Sequence, residues 1–238
     1  MPKRLKYKRI MLKLSGEVLE GEKGSGIDFT MVEQLCKEVT AVKKMGVEVV
    51  IVIGGGNFWR YRDFVESGID RVHSDYMGMM ATIMNSLALR NGFRKFKIDA
   101  RPLSAFAMPV VVETYLVEKG LAYLQKGKIV ICAGGTGNPF FTTDTAAALR
   151  ALELSCDVLM KATKVDYVYD KDPVKHKDAK KFKKLSYHKV LDMGLEVMDL
   201  SAVSLCADNK LPIAVFNLTK KGNIARVVKG QDVGTLIT

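Results

Sequence analysis

Hydrophobic and polar positions fall into two periods along the chain. Residues 7–14 (YKRIMLKL), 47–53 (VEVVIVI) and 128–133 (KIVICA) are short and nearly uninterrupted, two of them rich in Val and Ile. This is the pattern of strands covered on both faces. Shorter apolar runs at 96–101, 157–160, 212–216 and 235–237 predict further strands. Between them the period changes to that of a helix. Val32, Leu35, Val39 and Val42 form a stripe, with Asp28 as its N-cap, Thr30 and Glu33 as a capping box, and Gly46 just beyond its end. Helical patterns run to about residue 67 and again over 70–90, where Asn91-Gly92 is expected to stop them. Others cover 114–125, 186–193 and 199–210, and one capped by Thr143 and Asp144 runs through 154. Strands alternating with helices predict an α/β fold: a mostly parallel sheet with helices on both faces. Ligands then gather at the carboxyl ends of the strands.

Composition fits a globular protein: 238 residues, 48% apolar and 26% charged. The net charge of +11 is more informative, because it is local. Residues 1–13 hold six basic residues and no acid, and residues 164–189 hold nine lysines against four aspartates. These two segments account for the whole excess, so anionic partners are expected at particular places. Among the other residues, Met77, Met79, Met80 and Met84 read as core packing. Cys36, Cys132, Cys156 and Cys206 are widely spaced among apolar neighbours, which reads as reduced thiols in a cytoplasmic protein. No run reaches the length of a membrane helix, and the basic start lacks the apolar stretch of a secretory leader. His73, His176 and His188 have no metal-ligand spacing, so no metal site is expected.

The candidate chemistry lies where strands end. Leu14-Ser15-Gly16, Gly54-Gly55-Gly56-Asn57, the run Gly134 to Asn138, and Lys161 to Lys164 each follow a predicted strand. Glycine lets backbone N–H groups approach an anion, and a following helix start adds its positive end. Neither the P-loop nor the dinucleotide fingerprint is present, so a phosphate floor here belongs to another architecture. Lys13 is either an outward lysine of a half-exposed strand or an ammonium reaching a phosphate. Arg60 is either solvated or a bidentate phosphate clamp. Asp75 reads as an N-cap or an acceptor for sugar hydroxyls, and Asp144 as an N-cap or an organiser of lysines and metal.

Six segments in colinear order carry a resemblance: KLSGE (13–17), VIGGGN (52–57), DYMGMMAT (75–82), AGGTGNPFFTTD (133–144), KATKVDYVYDKDP (161–173) and GTLI (234–237). Over essentially its whole length the chain resembles the bacterial uridylate kinases, the UMP kinases of the amino acid kinase superfamily. The resemblance implies one three-layer αβα domain over 1–238, with an acceptor half of roughly 1–155 and an ATP half of roughly 156–238. It implies a cytoplasmic homohexamer that transfers the ATP γ-phosphate to UMP in pyrimidine biosynthesis, with Mg²⁺ accompanying the ATP. By matched position, Lys13, Leu14, Ser15, Gly16, Gly56, Arg60, Thr163, Tyr169 and Asp172 would bind ATP. Gly55, Asp75, Thr136, Gly137, Asn138, Pro139, Phe140, Phe141, Thr142 and Thr143 would bind UMP. Lys13, Asp144 and Lys161 would be catalytic. The family also implies activation by GTP and inhibition by UTP. Gly21, Glu22, Lys23, Gly24, Ser25 and Gly26, with Arg90 and Arg101, match the regions of the GTP response.

Two departures bear on that implied regulation. Tyr61 stands where a glycine commonly follows the arginine of the GGGN loop, and Arg94 stands at a position that is often histidine. Two other readings compete. A kinase of the same architecture could act on a carboxylate or carbamate, although the aromatic NPFF loop and Asp75 suit a base and ribose better. The basic charge could also serve nucleic-acid binding, as a secondary role. Against this, residues 180–184 (KKFKK) hold a single aromatic, which suits a solvated face.

Overall fold

The computed structural model describes residues 5–238, so Lys3 and Arg4 of the first basic segment lie outside the described residues. In the first part of the chain the elements are β1 (Arg9–Leu14), α1 (Phe29–Lys43), β2 (Glu48–Ile53), α2 (Arg71–Lys95), β3 (Ala100–Ser104), β4 (Glu113–Thr114), α3 (Val117–Gln125), β5 (Ile129–Ala133) and α4 (Thr143–Glu153). The remainder forms β6 (Val158–Thr163), β7 (Val168–Tyr169), β8 (Lys181–Phe182), β9 (Lys184–Leu185), α5 (Tyr187–Asp192), α6 (Leu200–Asp208), β10 (Ile213–Asn217), α7 (Asn223–Val228) and β11 (Thr235–Ile237).

Nine strands make one sheet in the order β4-β3-β5-β2-β1-β6-β10-β11-β9, while β7 and β8 pair separately as a hairpin. Every pairing in the large sheet is parallel except β10 with β11. Strands from residues 1–155 therefore fill one side of the sheet and those from 156–238 the other, meeting at β1 and β6.

Side chains alternate along each strand, and the two faces have separate cores. Ile10, Leu12 and Leu14 of β1 join Val49, Ile51 and Ile53 of β2 under α1, α2 and α7. Met11 of β1 joins Val50 and Val52 under α3, α4, α5 and α6. Each such fully buried aliphatic side chain contributes about 1.5–3 kcal/mol relative to exposure, so the two cores fix the register. The three-layer αβα architecture expected from the sequence is the one observed.

Several local expectations are corrected. Residues 58–67 are not a helix but two short 3₁₀ turns, Tyr61–Asp63 and Val65–Ser67. Helix α2 does not stop at Asn91-Gly92. A Cβ on Gly92 would lie 2.6 Å from Val32 Cγ1 and 2.8 Å from Cys36 Sγ, so this glycine serves close packing of α2 on α1. The strand expected at 96–101 lies at Ala100–Ser104. The first residues of the helix expected at 114–125 are extended, with Thr114 in β4. Asp28 does cap α1, accepting from Thr30 N at 2.7 Å, but Glu33 pairs with Lys95 rather than completing a capping box. Asp70, not Asp75, caps α2. Of the four methionines at 77, 79, 80 and 84, only Met79 is buried outright; Met80 and Met84 are 47% and 49% exposed, next to Tyr76 on an outward apolar face.

Candidate active site at the edge of the parallel sheet

Because β5, β2, β1 and β6 are adjacent and parallel, the loops after them emerge side by side at one edge. Lys13 and Lys161 face each other there, being register partners in β1 and β6. Neighbouring residues in both strands alternate between the two cores, which puts both lysines on the face covered by α4. Asp144, in the first turn of α4, meets both: Lys13 Nζ lies 2.5 Å from Oδ1, and Lys161 Nζ lies 2.7 Å from Oδ2.

Lys13 and Asp144 are 8% and 9% exposed and Lys161 is partly buried, so two cations and one anion share a largely buried cluster. Burial alone would push the Asp144 carboxyl up, but Lys13 and Lys161 overcome it and hold it below the usual carboxylate range. For Lys161 burial prevails: with Lys13 adding to it, its ammonium is held below the usual lysine range despite Asp144. Asp144 is free to do this because Thr142 caps α4, its Oγ1 accepting from Asp144 N at 3.0 Å. A buried net positive charge is costly unless an anion arrives, and the N-terminus of α4 adds to the attraction.

The glycine loops lie beside this cluster. A Cβ on Gly16 would come within 2.4 Å of Asn57 Oδ1 and 2.8 Å of Gly56 N, so only glycine lets the loops after β1 and β2 meet. Gly54 N–H is committed to Leu14 C=O at 2.9 Å, so the amides left to face a ligand narrow to Gly55 and Gly56. Leu14 itself is core, and Ser15 Oγ accepts from Glu17 N at the start of the next turn.

The loop is pinned from below by Asn85 of α2, which sequence reasoning missed. Asn57 and Asn85 exchange amide hydrogen bonds at 3.0 and 2.7 Å, while Asn85 also donates to Gly54 O and Asn57 to Gly26 O. An Asn within an apolar helix was its only sequence signal. Also missed was Asp199, which accepts from Thr142 Oγ1 and Thr145 Oγ1 and so ties α6 to the first turn of α4. Glu17 is a third: Arg60 donates to it at 2.5 Å and to Gly56 O at 2.9 Å, and Lys164 approaches it at 3.3 Å.

On the β2 and β5 side a cavity is lined by Gly55, Trp59, Tyr61, Ser74, Asp75, Gly78, Met79, Thr82, Gly135, Phe141, Thr142 and Thr143. It gathers Gly55, Asp75, Phe141, Thr142 and Thr143 from the expected acceptor set. Thr136, Gly137, Asn138, Pro139 and Phe140 belong to the adjoining loop and do not line it. There Thr136 Oγ1 accepts from Asn138 N, and Gly137 and Phe140 take left-handed backbone conformations. Asp75 is engaged by Arg71 Nε, at 2.9 Å to each oxygen, and by Phe140 N at 2.7 Å.

On the other side, Thr163 ends β6, its hydroxyl bonded to Val165 O; Tyr169 lies in β7, and Asp172 accepts from Val174 N. The loop residues Gly21, Glu22 and Lys23 form a 3₁₀ turn, and Gly26 N joins the site through Asn57 O. Arg90 is exposed on α2, and Arg101 pairs with Asp99 at the start of β3, away from the carboxyl edge.

Among the described residues, no three His, Cys, Asp or Glu side chains gather as a metal cage. Asp144 is the acid of the lysine cluster, and both its oxygens already hold ammonium groups. This suits a Mg²⁺ that arrives on nucleotide phosphates rather than one lodged in protein ligands.

The fold is α/β, with a buried charged cluster and glycine loops where its parallel strands end. The chain belongs to the amino acid kinase family, whose model matches residues 8–217. Among solved structures it is similar to the UMP kinase from Bacillus anthracis, with 38% identity, a TM-score of 0.95, and 98% of this chain and 96% of that chain covered. The UMP kinase from Ureaplasma parvum is 34% identical with a TM-score of 0.92, covering 97% of this chain and 98% of that one. The uridylate kinase from Archaeoglobus fulgidus is 28% identical with a TM-score of 0.74, covering 96% and 99%.

Proposed function

We propose that the protein transfers the γ-phosphoryl group of ATP to UMP, giving UDP and ADP. The observation that carries this reading is the buried Lys13–Asp144–Lys161 cluster, one net positive charge set between an acceptor cavity and the segment leaving β6. The similarity to UMP kinases supports UMP as acceptor.

The acceptor is a phosphate, already anionic near neutral pH, so no general base is required. Its oxygen bonds to the γ-phosphorus as the bond to the leaving ADP oxygen breaks. Catalysis then consists of positioning and charge stabilisation. Lys13 and Lys161 stabilise charge on the moving group, Asp144 aims both lysines, and the Gly55 and Gly56 amides hold oxygens. Gly55, Asp75, Thr142 and Thr143 hold UMP in the cavity, and the loop from Thr136 to Phe141 closes beside it. Lys13 to Gly16, Gly56 and Arg60 hold ATP phosphates; Thr163, Tyr169 and Asp172 line its base and ribose. Mg²⁺ carried by the ATP supplies additional charge neutralisation.

In this reading residues up to about 155 serve the acceptor and the remainder the donor. The outward face of Tyr76, Met80 and Met84 supports self-association, here to a homohexamer. GTP activation and UTP inhibition are part of the proposal, with GTP sensed through Gly21 to Gly26, Arg90 and Arg101. Incubation with ATP, Mg²⁺ and UMP is expected to yield equimolar UDP and ADP, faster with GTP and slower with UTP. No UDP would sink the reading, and rates indifferent to both effectors would remove the regulatory part alone.

A further inference from the structure

Tyr61, the residue that departs from the glycine usual in this loop, makes a contact unrelated to phosphate binding. Arg71, in the first turn of α2, has its guanidinium carbon 4.7 Å from the centre of the Tyr61 ring and 5.6 Å from that of Phe140. Three separate segments meet in this stack: the turn after β2, the start of α2 and the loop after β5. Asp75 aims it, accepting from Arg71 Nε and from Phe140 N. Phe140 is 66% exposed and has φ +70°, an unfavourable backbone for a bulky residue that gains little burial in return. The turn is further folded onto α2 by Trp59, which stacks on Phe64 at 4.0 Å and donates to Ser74 Oγ at 2.8 Å. Tyr61, Trp59 and Asp75 all line the acceptor cavity.

We propose that the Tyr61–Arg71–Phe140 stack is a latch across the mouth of the acceptor cavity, and that it retains a bound nucleoside monophosphate. This rests on the acceptor reading of that cavity. A carboxylate has room for further donors beyond those Asp75 already accepts, so a ligand hydroxyl can bind without opening the latch. An exposed cation–π contact changes an equilibrium constant by about two- to fivefold. Loss of the Tyr61 ring should therefore weaken acceptor binding by about fivefold, mainly by speeding release.

Trp59 is the only tryptophan, so its fluorescence reports this turn directly. The test is titration of UMP and, separately, of ATP, into wild type and the Tyr61→Ala, Tyr61→Leu and Tyr61→Phe variants, with calorimetry alongside. Expected are about fivefold weaker UMP binding in Tyr61→Ala and Tyr61→Leu, near-wild-type binding in Tyr61→Phe, and ATP affinity within about twofold throughout. Leucine supplies bulk without a π face, so UMP binding as tight as wild type in Tyr61→Leu overturns the latch. Equal weakening of both nucleotides overturns it too. Wild type that binds no nucleoside monophosphate overturns the acceptor reading and the latch together, whereas tight wild-type binding with indifferent variants overturns the latch alone.

Discussion

The Lys13–Asp144–Lys161 cluster gives single residues distinct consequences. Lys13 was legible as unusual, a lysine within an apolar strand, but an outward lysine would have had the same sequence. What decides is its register opposite Lys161 and the position of Asp144, which no local pattern contains. In the proposed mechanism, replacing Lys13 by alanine removes one stabiliser of the moving charge. It is expected to lower kcat a hundredfold or more, about 3 kcal/mol, while circular dichroism and the melting transition stay two-state. Near-normal turnover would contradict this role.

Lys161 gives a pH signature. Burial, with Lys13 beside it, holds its pKa below the usual value, so it loses its proton at lower pH than an exposed lysine. Activity depending on its charge must then fall as pH rises, before the ordinary lysine range near ~10.4. A kcat profile flat up to that range would show that the charge on Lys161 does not matter.

At the level of elements, the strands that run 7–14, 47–53 and 128–133 were readable because burial on both faces leaves continuous apolar runs. Helix α2 was less so. Its glycine at 92 has the sequence of a stop and the structure of a contact with Val32 and Cys36, a tertiary demand. The same helix presents Asn85 to the glycine loop. Asn85→Ala strands the Gly54 carbonyl and the Asn57 amide, which is expected to cost about 1–3 kcal/mol and lower the melting temperature by roughly 2–10 °C. Because Gly55 and Gly56 belong to that loop, kcat should fall in the same variant. A melting point lowered without loss of turnover would confine Asn85 to a structural role.

For the whole molecule, the sheet order joins what the chain keeps apart. The loops that line the cavity follow β2 and β5, the second basic segment follows β6, and β1 with Lys13 lies between. Alternation of strands and helices predicts a parallel sheet but not this order, so the cavity's composition was reachable only through the family resemblance. Part of the second basic segment's excess is met from outside it, where Lys164 faces Glu17 and Lys183 faces Asp232.

The thiols belong to this scale as well. All four cysteines are buried and free, and burial pushes Cys36, Cys132 and Cys206 up to about 12 and Cys156 higher. A thiol reagent should label none in the native protein at neutral pH and all four once it is unfolded. Rapid native labelling would mean that the cores open.

The central claim concerns which acceptor the molecule serves, and one measurement addresses it: kcat/KM with ATP and Mg²⁺ for UMP, CMP, aspartate and N-acetylglutamate side by side. If the cavity binds a base, a ribose and a phosphate as proposed, UMP should be favoured over either amino acid by about 10⁴-fold or more, with CMP below UMP. A preference for aspartate or N-acetylglutamate, or no transfer to UMP at all, would contradict the account.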